Sequence, residues 1–132
     1  MRPRIEPSEA REQETIFEWS FLARGRYPEL KLLFAIPNGG TRHPAEAAHL
    51  KAQGVKSGVP DMCLPVARGG YHGLYIELKR QKGGRPSVNQ TAWIEELRKQ
   101  DYYAAVVHGS DAAVLLITKY LKGELKCDRC TK

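Results

Sequence analysis

Cysteine is scarce in this 132-residue chain, with three residues at positions 63, 127 and 130. Three thiols do not make the disulfide framework that staples small secreted domains. Cys127-Asp128-Arg129-Cys130 is half of a zinc knuckle whose other half is missing, and reads as a reducible tail. Cys63 reads as strand core. The four histidines show no HxxxH or HxH spacing, so no transition-metal site is expected. No apolar run approaches the ~20 residues of a membrane span. The first residues, Met1-Arg2-Pro3-Arg4-Ile5-Glu6, carry no signal-peptide core. The chain is therefore expected to be cytoplasmic, with no membrane partner. Repeats and low-complexity tracts are also missing.

What is present is ordinary for one globular domain: 42% hydrophobic and 27% charged residues, which argues against disorder. Lys and Arg exceed Asp and Glu by 21 to 15, and the net charge of +6 suits a polyanionic partner.

Periodicity and punctuation predict eight elements. Ser8 caps a helix to about Ala23, with Glu9 and Glu12 in its early turns, where the helix dipole favours acids. Leu32 to Ile36 reads as a short, fully buried strand, and Pro44 to Gln53 as a short helix with Gly54 behind it. Asp61 to Val66 and Gly73 to Lys79 read as two strands of a hairpin, with Arg68-Gly69-Gly70 as the turn. Ser87 to about Gln100 is a helix, Tyr102 to His108 a strand, and Ser110 or Asp111 caps a helix to about Leu121. That order predicts an α/β fold, a central mixed β-sheet flanked by helices, with one hairpin and one right-handed strand-helix-strand crossover.

Three ionisable residues, Asp61, Glu77 and Lys79, interrupt the two central strands, which otherwise look buried. If the hairpin loop is odd in length and centred on Gly69, Asp61 stands opposite Glu77, their Cβ atoms about 4.5–5.5 Å apart. Two carboxylates that close repel unless they share a cation. Lys79 falls on the same face, while Leu74, Ile76 and Leu78 face a core. Such a site suits Mg²⁺ or Mn²⁺, hard ions that take oxygen ligands and keep waters. A two-residue Gly69-Gly70 turn would instead pair Asp61 with Leu78 and separate the acids, and Pro65, which lacks a ladder donor, could add a bulge. Lys56 and Ser57, just before Asp61, together with Arg42, Arg80, Lys82 and Arg85, are candidate phosphate contacts. Each is by default a solvated surface group.

Pro60-Asp61, a fifteen-residue spacer and Glu77-Leu78-Lys79 match the PD-(D/E)XK signature of metal-dependent nucleases. The longer set Ile36-Pro37-Asn38-Gly39-Gly40, Gly54 to Asp61, Tyr75 to Lys79 and Ser87-Val88-Asn89-Gln90 resembles the VRR-NUC family, in particular its stand-alone members from phages and bacteria. The resemblance spans residues 8–122, leaving an N-terminal extension (1–7) and a flexible tail (123–132). It implies a Mg²⁺- or Mn²⁺-dependent DNA endonuclease with a PD-(D/E)XK core, working in a bacterial or phage-infected cytosol. It further implies a homodimer that acts on branched DNA such as four-way junctions.

By the same resemblance, Asp61, Glu77 and the Leu78 carbonyl hold the metal and Lys79 acts on the attacking water. A first-helix acid, Glu12 or Glu9, also reaches the metal, with Glu12 favoured because it lies one turn deeper. Gln90 is placed near the active site, although Ser87 to Gln90 already reads as a capping box. Asn38 and Gly39, a turn by default, would border the DNA groove. Two other readings stand beside this one: a catalytically silent DNA-binding module, and a sequence-specific restriction-type nuclease.

Overall fold

The computed structural model describes residues 6–37 and 43–128. In chain order the elements are α1 (Glu9–Leu22), two 3-10 turns (Ala23–Gly25 and Pro28–Leu32), β1 (Phe34–Ala35), α2 (Pro44–Ala52), β2 (Met62–Leu64), β3 (Leu74–Lys79), α3 (Val88–Lys99), β4 (Tyr103–His108) and α4 (Ser110–Leu121). The sheet runs β1-β2-β3-β4, antiparallel across the first two pairs and parallel between β3 and β4. The expected mixed sheet flanked by helices is the one found.

Strand alternation divides β3 between two cores. Leu74, Ile76 and Leu78 face α1 and α4, packing with Ile16, Leu30, Met62, Leu64, Ile117 and Tyr120. Tyr75 joins Trp93, Ile94, Leu97, Tyr102, Ala104 and Val106 beneath α3. Each fully buried aliphatic side chain contributes about 1.5–3 kcal/mol. The two faces together enclose β3, of whose residues only Tyr75 is partly exposed. The first strand departs from expectation. Pro28 opens a 3-10 turn that buries Leu30 and Leu33, so the apolar run spends its core residues before the strand begins. What remains is a two-residue edge strand with both side chains exposed.

The hairpin combines both of the turn geometries considered above. Arg68 and Tyr71 exchange main-chain bonds of 3.2 and 2.9 Å around Gly69 and Gly70, whose φ values of 59° and 91° make a two-residue primed turn. Carried on regularly, that turn would set Asp61 against Leu78. One residue is absorbed at Pro65, where the Val66 N–H bends back to the Leu64 carbonyl at 2.9 Å. Tyr120 on α4 clasps this irregular segment, its hydroxyl donating to the Val66 carbonyl at 2.6 Å. Below the slip the register is Leu64 to Leu74, Cys63 to Tyr75 and Met62 to Ile76, so the next pair is Asp61 and Glu77.

Beyond α4 the described chain turns back onto this hairpin. The Cys127 N–H donates to the Gly69 carbonyl at 2.8 Å, and Leu125 packs against the first core. Residues 123–128 thus run as a docked segment, and Cys130 lies outside the described residues.

Candidate active site

Asp61 sits one residue before β2, where three contacts place it. Its carbonyl accepts from the Ile36 N–H at 2.7 Å, which ties it to the β1 side. Pro60 before it is fully buried. Gly58 rests directly on the first turn of α3: a Cβ there would lie 2.7 Å from Asn89 Cβ, and its φ of +89° is one that L side chains rarely adopt. Asn89 also donates from Nδ2 to Ser57 Oγ at 3.0 Å. The Lys56-Ser57-Gly58 loop is thereby seated on α3.

The Asp61 carboxylate crosses to β3 and accepts the Leu78 N–H on Oδ2 at 2.8 Å. A strand residue directs its N–H and C=O to the same neighbour. The Leu78 carbonyl therefore also faces the Asp61 side, past the end of β2. Glu77 is 1% exposed and lies beside Asp61. Its Oε2 lies 3.7 Å from Lys79 Nζ, and Lys79 is itself buried. Glu77 Oε1 is buried with no hydrogen-bond partner among the described residues. Burial raises the Glu77 pKa to about 8, helped by Asp61, through hydrogen bonding and charge, and by the charge of Glu9, while Lys79 opposes them.

These features form a test of fit for a metal ion. An orphaned buried carboxylate oxygen is costly unless a cation or proton meets it. Among the described residues, no three His, Cys, Asp or Glu side chains gather into a cage. The donors are two carboxylates and a main-chain carbonyl. An oxygen-only set of this size fits a hard divalent ion that keeps several waters.

The two first-helix acids part company. Glu9 is exposed in the first turn of α1, near enough for its charge to act on Glu77. Glu12, only 2% exposed, spends both oxygens elsewhere: Oε1 accepts from Gln81 Nε2 at 3.0 Å and Oε2 from the Ser110 N–H. Gln90 makes the capping box, donating its N–H to Ser87 Oγ at 3.2 Å and accepting the Ser87 N–H on Oε1 at 2.8 Å.

Lys56, Ser57, Arg80, Lys82 and Arg85 are exposed, on two loops that meet at the start of α3. One leads into Asp61; the other leaves Lys79. Asn38, Gly39 and Arg42 lie outside the described residues. The sequence reads Asn89 only as part of the Ser87–Gln90 stretch, and Gln81 only as loop, because each acts through a contact with a residue distant in the chain.

A mixed sheet flanked by helices, with two acids and a lysine at the end of its antiparallel pair, is the restriction-endonuclease-like PD-(D/E)XK class of fold. Residues 8–111 match the VRR-NUC domain. A solved structure described as a VRR_NUC domain protein superposes with a TM-score of 0.76 at 32% identity, covering 89% of this chain and 91% of that one. No protein with a curated description matches. The chain belongs to the VRR-NUC family, and its domain is of the nuclease type that acts on DNA. No described helix is long and apolar enough to cross a membrane.

Proposed function

We propose that the protein is a Mg²⁺- or Mn²⁺-dependent endonuclease that hydrolyses phosphodiester bonds in branched DNA such as four-way junctions, acting as a homodimer in the cytoplasm. The observation that carries the metal dependence is the buried Glu77 Oε1, which has no hydrogen-bond partner among the described residues, beside Asp61 and Lys79. Asp61, Glu77 and the Leu78 carbonyl would hold the ion, with Glu9 adding negative charge from the rim. A divalent cation there supplies Lewis-acid polarisation of the phosphoryl group and a lowered pKa for the attacking water.

The chain's own groups do the rest. Lys79, held beside Glu77, donates hydrogen bonds that orient the water and offsets charge growing on the phosphoryl oxygens. The water oxygen bonds to phosphorus as one bridging P–O bond breaks; the water gives up a proton and the departing oxygen takes one. Lys56, Ser57, Arg80, Lys82 and Arg85 flank the reacting groups on the two loops and would grip the backbone on either side. The Asn38-Gly39 turn and Arg42 extend this surface in our reading. Gln90 contributes through the first turn of α3, which it closes. Two copies related by a two-fold axis would present paired sites to paired strands.

The test is cleavage of linear, flapped and four-way DNA with Mg²⁺, with Mn²⁺ and with chelator, with the oligomer's mass measured in parallel. Asp61→Asn keeps an acceptor for the Leu78 N–H while weakening the ion site, and should slow cleavage roughly 100-fold or more. Wild-type protein that binds all three substrates and cuts none with either ion would make this a binding module. Preference for one linear sequence over the junction would make it a restriction-type enzyme.

A further inference from the structure

Glu12 is a buried carboxylate that the cleavage chemistry above leaves unused, and its partners bracket the strand end that carries Lys79. Gly109 stands at the N-cap of helix α4, with φ of +88° and no side-chain cap. Glu12 supplies that cap from another helix by accepting the Ser110 N–H on Oε2. Negative charge at the positive end of a helix is favourable. The residue before Ser110 closes the other half of the arrangement: the Gly109 N–H donates to the Lys79 carbonyl at 2.9 Å. Gln81, two residues after Lys79, gives its side-chain amide to Glu12 Oε1 at 3.0 Å. The main chain at Lys79 is therefore held in a ring of contacts that runs through Gly109, Ser110, Glu12 and Gln81.

We propose that Glu12 is a positioning residue: it fixes the backbone at Lys79, and so the ammonium group, without touching the ion. Each of its oxygens is already engaged by a donor. The inference rests on the reading of Lys79 as the group that acts on the water. A lysine on a long flexible stem places its charge only as well as its backbone is anchored. A loss of about 1 Å in placement is enough to lower turnover roughly 100-fold.

The experiment compares Glu12→Ala, Glu12→Gln and Gln81→Ala with wild type by three measurements. These are kcat and KM on junction DNA, Mn²⁺ affinity of the DNA-free protein, and amide hydrogen exchange at Gly109 and Ser110. Gln81 is exposed, so its variant carries the test if Glu12→Ala does not fold. We expect Gln81→Ala to lower kcat about tenfold and Glu12→Ala about 100-fold, with KM and Mn²⁺ affinity within about twofold of wild type. Glu12→Gln, which still offers an acceptor oxygen, should recover part of the loss. Exchange at Gly109 and Ser110 should quicken in the order Gln, then Ala.

Mn²⁺ affinity that falls with Glu12→Gln as far as it does with Glu77→Gln would overturn the proposal, since Glu12 would then be a ligand. So would unchanged kcat in both Gln81→Ala and Glu12→Gln. Should wild type cut no DNA, the endonuclease reading fails, and the other two measurements still decide this one. Faster exchange with unaltered Mn²⁺ affinity supports it, and slow exchange throughout sinks it.

Discussion

Glu77 titrates near pH 8 because burial and Asp61 together make its charged form expensive. An unfolded glutamate loses its proton near 4.5. Between those values the folded chain holds a proton that the unfolded chain has released, so stability falls as pH rises and levels off above the folded pKa. For metal-free protein, the thermal midpoint should drop by about 5 °C or more between about pH 5 and about pH 8, and Glu77→Gln should flatten that slope. Mg²⁺ should raise the midpoint more at the alkaline end, because the ion replaces the proton. A flat profile in wild type would mean the carboxylate pair is not strained. At this scale the sequence was partly legible. The spacing of Asp61, Glu77 and Lys79 converts directly into one face of two strands, since strand alternation has a period of two. Glu9 and Glu12 did not resolve that way. Helix periodicity places both acids in the first turn or so, and only the packing of α1 against α4 turns Glu12 inward.

Among the elements, the loop before β2 is set by contact rather than by pattern. Gly58→Ala would have to adopt φ of +89° with its methyl group 2.7 Å from Asn89 Cβ. The expected cost is about 1–3 kcal/mol, read as a midpoint lowered by roughly 3–10 °C together with slower cleavage, because Asp61 is three residues away. An unchanged midpoint would show that the loop does not need its seat on α3. Caps and turns were readable where a single residue decides them: Ser8 caps α1, and Ser87 with Gln90 boxes α3. They were unreadable where a distant residue decides. The start of α4 looked like a serine or aspartate cap, and the cap comes instead from Glu12. The short β1 was hidden for a related reason, its apolar residues having gone into the preceding 3-10 turn.

Across the whole molecule, Asp61, Glu77, Lys79 and the two basic loops gather at one end of the sheet, and the Gly69 turn with the Leu125 to Cys127 segment closes the other. A net charge of +6 and five exposed cationic or hydroxyl groups on those loops should make DNA binding strongly dependent on salt. Measured by titration between low and moderate NaCl, the slope of log affinity against log salt should be about −4 or steeper, and Lys82→Ala with Arg85→Ala should make it shallower by about 2. A slope near zero would mean that these loops neutralise no phosphates. The segment after α4 was the least legible part at this scale, because its few apolar residues carry no periodicity and gain meaning only from the turn they cover. The one-residue slip at Pro65 has a consequence for how the gene can vary. Register next to the reacting groups is set between Met62 and Ile76, so a codon gained or lost between Pro65 and Ala67 can be taken up locally, whereas a codon inserted between Asp61 and Met62 would rotate one acid to the opposite side and silence the site.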